Sequence, residues 1–111
     1  MPRAEEMSDR RRSARVRSLR LVTLEPIGAG SAEAPVEVGR TLDVSEAGVR
    51  LETTRELRPG QELELQIAVS DRLINCRGRV VHTETSGGLV LTGIEWLEIT
   101  PRDLALLVEP G

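Results

Sequence analysis

The chain has 111 residues and a formal net charge of −3, and 39% of its residues are hydrophobic and 30% charged. This length fits one small domain, and this composition excludes a wholly disordered chain. The sequence has no apolar run near the ~18 residues of a membrane-spanning helix, which predicts no membrane insertion. One His and one Cys are too few ligands for a structural zinc site.

The charged and aromatic residues are unevenly distributed. All fifteen cationic residues are Arg, and Trp96 is the sole Trp in a chain without Phe or Tyr, so Leu, Val, Ile and Ala must build the core. Residues 1–20 carry seven Arg against three acids, a net charge of +4, whereas residues 21–111 carry eight Arg against fifteen acids, a net charge of −7. An acidic body is unlike a general nucleic-acid binder and predicts no DNA or RNA partner. The basic arm predicts a local anion site, with a solvated, disordered tail as the alternative.

The N-terminal segment and the single cysteine indicate the expected cellular location of the protein. Residues 1–17 are basic but no apolar stretch follows them, so they are not predicted to be a secretory signal. Cys76 has no partner for an intramolecular disulfide. A reducing cytoplasm is therefore the expected location, and Cys76 is expected to be a small buried hydrophobe.

The first third of the chain is predicted to be a leader, a basic cluster, a strand and a loop. Residues 1–9 are the predicted flexible leader, and Arg10–Arg17 is the basic cluster. Leu19–Leu24 is the first predicted strand. Glu25–Pro35 contains two Pro and two Gly and is predicted to be a loop.

Short strands follow, separated by turn residues. A partly apolar period-two pattern places Val36, Val38, Arg40 and Leu42 on one side of the next strand. The sequence Arg58-Pro59-Gly60-Gln61 is typical of a turn with Pro second and Gly third. The remaining strands are predicted over Val49–Thr53, Glu62–Val69, Leu73–Thr85 (with Gly78 as a bulge or close approach) and Leu89–Leu97.

The C-terminal residues change to a helical period. Thr100 is a predicted N-cap, followed by Pro101 at the first helical position. The short helix places Leu104, Leu107 and Val108 on one face, which must dock on the sheet because so short a helix is unstable alone. The whole pattern is all-β and predicts an antiparallel barrel or sandwich with a short C-terminal helix.

Two short motifs carry recognisable chemistry. Arg11 and Arg15 form an Arg-x-x-x-Arg element before the first strand, and Asp43, Ser45 and Gly48 form an Asp-x-Ser-x-x-Gly element at a turn between strands. Either element alone has an ordinary explanation. The first occurs by chance in Arg-rich segments, and the second can be a turn in which Asp and Ser bond nearby amides and Gly takes a positive φ.

In this order the two elements resemble the PilZ domain family, and the resemblance covers residues 10–109. It implies a six-stranded antiparallel β-barrel that binds the bacterial second messenger cyclic di-GMP. Arginine suits this ligand, because its planar fork pairs with phosphate and with the O6/N7 edge of guanine. A carboxylate can accept hydrogen bonds from N1 and N2 on the opposite guanine edge.

The resemblance also implies a role for each motif residue. Arg11 and Arg15 would clamp phosphate and guanine, with Arg10 and Arg12 adding charge or stacking. The remaining motif residues would serve the guanine edge, with Asp43 and Ser45 reading it and Gly48 permitting the turn that aims them.

Two residues outside the motifs have both a structural and a ligand-binding interpretation. His82 is placed near the end of a strand, where its flat ring could stack on a base or simply lie at the surface. Trp96 is expected to pack in the core under the terminal helix rather than to form a ligand platform.

The predicted function is a non-catalytic receptor, not an enzyme. The sequence contains no evident pairing of a nucleophile with a base and implies no bound cofactor. Ligand binding would order the basic arm, and the response would pass to a downstream protein partner. The alternative is a PilZ-like adaptor that binds other proteins and does not bind cyclic di-GMP.

Overall fold

The computed structural model describes residues 15–28 and 36–109 of the chain. This part contains seven strands and one helix, and every strand pairing is antiparallel. The elements in chain order are β1 (Val16–Arg17), β2 (Leu21–Pro26), β3 (Glu37–Val44), β4 (Gly48–Thr53), β5 (Glu62–Val69), β6 (Arg72–Ser86), β7 (Leu89–Glu98) and α1 (Pro101–Val108).

Six of the strands close into a barrel. Neighbouring strands follow the order β3-β2-β5-β6-β7-β4, and β4 pairs back with β3. Closure leaves this sheet without free edges, which stabilises an all-β domain against edge-to-edge association. The seventh strand, β1, pairs with the end of β3 beyond the segment that pairs with β2. The predicted six-stranded antiparallel barrel with a terminal helix is confirmed, and β1 is an addition that the sequence did not predict.

The core is aliphatic, as the composition requires. Alternate residues of β5 point inward, and Leu63, Leu65 and Ile67 are fully buried. Burying each such side chain contributes about 1.5–3 kcal/mol to stability relative to exposure. Further buried residues come from the other strands and the helix, and include Val22, Leu24, Val44, Val49, Leu51, Ile74, Val80, Ile94 and Leu107.

The first long strand is shifted from its predicted position. It runs over Leu21–Pro26 rather than Leu19–Leu24, and Leu19 is exposed. Pro26 ends the strand opposite Leu63, a position where the missing N–H of proline is tolerated. The predicted loop therefore starts after Pro26, and its residues 29–35 lie outside the described part of the chain.

In β3 the apolar side of the pattern faces outward. Val36 and Val38 are exposed, whereas Thr41 and Glu37 are buried. Polar residues are accommodated inside because each has partners. The Thr41 hydroxyl donates to the Ser18 carbonyl and accepts from the Arg20 amide at 2.9 Å.

Other local predictions are confirmed. Gly60 has a φ of +91°, and the Gln61 amide donates to the Arg58 carbonyl at 3.0 Å, as a Pro-Gly turn requires. The register shifts between Arg77 and Gly78, and a Cβ on Gly78 would overlap the Ile94 side chain, so this glycine marks both a bulge and a close approach.

The terminal helix follows its predicted signals. Thr100 Oγ1 accepts from the Asp103 amide at 3.1 Å, and Pro101 begins the helix. Leu107 is fully buried, and Leu104 and Val108 pack against the same core. Within residues 15–28 and 36–109, no helix is long and apolar enough to cross a bilayer.

Cys76 lies on the inner face of the barrel, opposite Leu65. Burial, with smaller contributions from the charges of Asp103 and Glu64, raises the pKa of the Cys76 thiol to about 12. A thiol with this pKa is uncharged and unreactive near neutral pH. Cys76 is therefore a small buried hydrophobe, as predicted.

Candidate functional site

The turn between β3 and β4 holds the second motif in a fixed conformation. The Ser45 amide donates to the Gly48 carbonyl at 2.8 Å. The Ser45 hydroxyl oxygen accepts from the amides of Ala47 at 3.1 Å and Gly48 at 3.3 Å. Ser45 is buried, and its oxygen is occupied by the turn. The structure therefore gives Ser45 a direct role in holding this turn.

Gly48 is required by a close approach between strands. A Cβ at this position would overlap the backbone carbonyl of Ile94 on β7. The φ of Gly48 is not positive, so the left-handed conformation considered for an ordinary turn is not the reason for this glycine. The turn can lie directly against β7 because residue 48 has no side chain.

Trp96 connects the same turn to β7 through two hydrogen bonds. Its indole Nε1 donates to the Ser45 carbonyl at 3.0 Å, and its amide donates to the Ala47 carbonyl at 3.1 Å. Trp96 is partly buried against the core, as expected. The sequence did not predict its contact with the motif turn, because the two segments are 51 positions apart.

Asp43 stands at the centre of a cationic cluster. Its Oδ1 atom accepts from Arg15 Nη1 at 2.7 Å. Its Oδ2 atom accepts from Arg50 Nε at 2.9 Å and lies 2.8 Å from Arg50 Nη2. The β3 ladder is irregular between Thr41 and Asp43, and such bulges commonly re-aim a side chain beside a binding site.

The two motifs thus meet in space. Arg15 immediately precedes β1, and Asp43 is 28 positions later in the chain. The segment after β1 is fixed by the Ser18 amide, which donates to the Leu42 carbonyl at 3.0 Å, and by the buried Thr41 hydroxyl. Thr41 was not among the predicted site residues, since a lone Thr in a strand carries no recognisable signal.

Arg15 and Asp43 line an open pocket of about 320 Å³. Leu19 and Leu42 supply apolar surface, and two further guanidinium groups come from Arg17 and Arg50. Three guanidinium groups around one carboxylate favour an anionic ligand that also carries hydrogen-bond donors for the carboxylate. Arg10, Arg11 and Arg12, predicted to belong to this site, lie outside the described residues.

His82 lies inside β6 rather than at a strand end. Its side chain is 64% exposed, and its Nε2 lies 3.2 Å from Glu84 Oε1. His82 on β6 pairs with Gly93 on β7. Gly93 also pairs with Arg50 on β4, and Arg50 pairs with Asp43 on β3. It therefore belongs to the same cross-strand row as Asp43, three strand spacings or ~14 Å away along the sheet.

Comparison with protein families shows to which family the chain belongs. The family model of the PilZ domain matches residues 9–109. The chain belongs to the PilZ domain family. PilZ domains are generally non-catalytic binding domains and form a cyclic di-GMP receptor family. No curated protein sequence matches the chain.

Solved PilZ structures share the fold at low sequence identity. The inhibitor of motility MotI/DgrA from Bacillus subtilis superposes with a TM-score of 0.73 at 18% identity, covering 89% of this chain and 48% of that one. The present chain thus spans about half the length of MotI/DgrA. The PilZ domain of Escherichia coli YcgR, solved with c-di-GMP, gives a TM-score of 0.64 at 14% identity over 88% and 86% of the two chains. The PilZ domain of CeSA from a cellulose-synthesizing bacterium gives 0.61 at 13% identity over 86% and 92%.

Proposed function

We propose that this PilZ domain is a non-catalytic receptor for cyclic di-GMP. The contact between Arg15 and Asp43 carries the proposal, because it joins the two motifs in one pocket. A guanidinium group and a carboxylate, placed side by side, are the two groups needed to bind a ligand with both phosphates and guanines.

In the proposed complex, the guanidinium groups and the carboxylate bind different parts of the ligand. Arg15 leaves Asp43 and, with Arg11, pairs with phosphate and the O6/N7 edge of guanine. Asp43 accepts from N1 and N2 of the opposite edge. Arg10 and Arg12 add positive charge or stack on bases. These additions suit a ligand with two phosphates.

The motif turn contributes mainly by holding Asp43 in place. The Ser45 hydroxyl fixes the turn by accepting from the amides of Ala47 and Gly48, and Gly48 permits the close approach to β7. His82 is exposed on the same outer face as Asp43 and could stack on the second base. Gly93 lies between His82 and Arg50 in the cross-strand row and has no side chain that would separate them. A His82 that only contacts Glu84 at the surface is the alternative.

We further propose that ligand binding is relayed to a protein partner. Binding would move Arg15 from Asp43 to the ligand and would order the basic arm on it. An ordering step of this kind can expose or cover a docking surface. The alternative function is an adaptor that binds its partner without cyclic di-GMP. The structural similarity to an inhibitor of motility is the observation that supports this alternative.

Isothermal titration calorimetry with cyclic di-GMP tests the proposed function. Wild-type protein should bind, and Arg11→Ala and Asp43→Ala should each weaken binding by about 10- to 100-fold, the usual effect of losing a hydrogen bond to a charged group. Arg40→Ala is the control, because Arg40 pairs with Glu52 outside the pocket. Absence of binding by the wild type, together with capture of a partner that is indifferent to the ligand, would instead support the adaptor.

A further inference from the structure

We propose that Arg50 is a positioning residue that fixes the Asp43 carboxylate for guanine recognition. The inference rests on the proposed function and adds a residue that neither motif contains. It follows from the way in which the two Asp43 oxygens are shared between two arginines on different elements.

Arg50 holds one carboxylate oxygen from a rigid strand. Arg50 and Asp43 are directly opposite each other in the β3–β4 ladder, where both backbones are fixed by cross-strand hydrogen bonds. Nε and Nη2 of Arg50 both approach Oδ2, at 2.9 and 2.8 Å. On its other side Arg50 faces Gly93, which offers no competing side chain.

Arg15 holds the other oxygen from a weaker element. It precedes a strand of two residues and reaches Asp43 through a single contact, from Nη1 to Oδ1 at 2.7 Å. Arg50, by contrast, lies within a strand of 6 residues and places two nitrogen atoms against Oδ2. Arg15 is therefore the exchangeable partner of Asp43, and Arg50 is the one that stays when a ligand takes over Oδ1.

The orientation of the carboxylate matters for reading guanine. The side-chain torsion that turns an aspartate carboxylate is broad, so a carboxylate with no fixed partner samples many planes. Guanine presents two parallel donors, N1–H and N2–H, which require both oxygens in one plane. Two N–H groups on Oδ2 restrict that rotation and leave Oδ1 and the outer side of Oδ2 to the base.

The fixed orientation of the Asp43 carboxylate also disfavours adenine. At the corresponding edge adenine has an acceptor at N1, which a carboxylate repels, and one donor at N6. A held carboxylate therefore favours guanine strongly, whereas a rotating one can turn a single oxygen toward the adenine donor. Arg50 should affect selectivity between the two bases as well as affinity.

A merely structural cross-strand ion pair would behave differently, and the barrel supplies a matched example. Arg40 and Glu52 also join β3 and β4, at 2.7 Å, and the Arg40 side chain is 52% exposed, the same as that of Arg50. Arg40 does not line the pocket. Replacing Arg40 therefore removes a comparable pair from the same two strands without touching Asp43.

The test compares Arg50→Lys and Arg50→Gln with Arg40→Lys and Arg40→Gln. Calorimetric titrations use cyclic di-GMP and cyclic di-AMP, and thermal unfolding checks that all four variants fold. Both Arg50 variants should bind cyclic di-GMP about tenfold more weakly. Arg50→Lys keeps the positive charge, so its affinity for cyclic di-AMP should be unchanged and the ratio of the two Kd values should narrow. Arg50→Gln also removes one of the positive charges of the pocket and should therefore weaken binding of both ligands. The Arg40 variants should bind as the wild type does.

Each other outcome overturns the proposal in a distinct way. Wild-type affinity in Arg50→Lys would mean that the positive charge alone suffices and that orientation is not controlled by Arg50. Equal losses for both dinucleotides in Arg50→Lys would make Arg50 a phosphate contact. If Asp43→Ala loses binding and the Arg50 variants do not, only this inference fails. If the wild type does not bind cyclic di-GMP, the proposed function and this inference fail together.

Discussion

The buried Cys76 thiol should make the barrel lose stability at alkaline pH. Burial raises the pKa of Cys76 from 9.0 to about 12, so the folded protein keeps the thiol neutral while the unfolded chain ionises it. A group with a raised pKa of this kind leaves stability unchanged below about pH 9. As the pH rises from about 9 toward about 12, the unfolded state alone loses the proton, and the free energy of unfolding falls.

The size of the effect follows from the two pKa values. At about pH 10, one unit above the unfolded pKa, the loss is about 1.4 kcal/mol. Few other groups of this chain titrate in the same pH range, because the sequence contains no Lys and no Tyr. In the unfolded chain, Cys76 is therefore the one side chain that titrates between about pH 8 and about pH 10.

Urea unfolding of the wild type and of Cys76→Ala at these two pH values measures the effect. The Ala variant should be less stable by about 1 kcal/mol at the lower pH, because it removes a buried atom. Its stability should then stay level, while that of the wild type falls by about 1.4 kcal/mol. Parallel losses in the two proteins would show that another group is responsible and would refute the reasoning.

Two further predictions concern the motif turn. Gly48→Ala should destabilise the barrel by about 1–3 kcal/mol because its Cβ would overlap the Ile94 carbonyl, whereas Gly93→Ala, with its nearest neighbour at 3.7 Å, should change urea unfolding little. Equal effects of the two changes would contradict the steric account. Trp96→Phe should lose the hydrogen bond to the Ser45 carbonyl and about 1–3 kcal/mol, measured by circular dichroism during unfolding. The same change should also weaken cyclic di-GMP binding. Unchanged binding would show that the stability of the turn does not determine the affinity for the ligand.

Local patterns predicted the fold well where one face of a strand is apolar and the other polar. Glu62–Val69 alternates cleanly, and the structure has a strand over the same residues. The β3 strand shows why the same rule can mislead. Val38 is apolar and exposed, while Thr41 is polar and buried, because the Thr41 hydroxyl is needed to bind the segment of Ser18. That need arises from a tertiary contact and leaves no periodic signal.

The candidate site was predictable only in part. The motifs named Arg15 and Asp43, and the barrel brings these two residues together. Arg50 and Trp96 were not predicted to belong to the site. Trp96 contacts the motif turn from 51 positions away, which no local pattern shows. Arg50 is seven positions from Asp43, and the register counted outward from the Ser45–Gly48 turn pairs the two residues, so that count could have identified it.

The charge of the pocket also supports the proposed anion site in a domain that is acidic as a whole. In the described barrel several arginines are paired with glutamates across strands, for example Arg40 with Glu52 and Arg79 with Glu95. Asp43 is different because it is contacted by two arginines, and with Arg17 the pocket lining carries three positive charges against one negative charge. At physiological ionic strength charges are screened beyond about 8 Å. Acids farther than this from the pocket are therefore largely screened, and the proposed function relies on the local excess of two positive charges, which would match two phosphates.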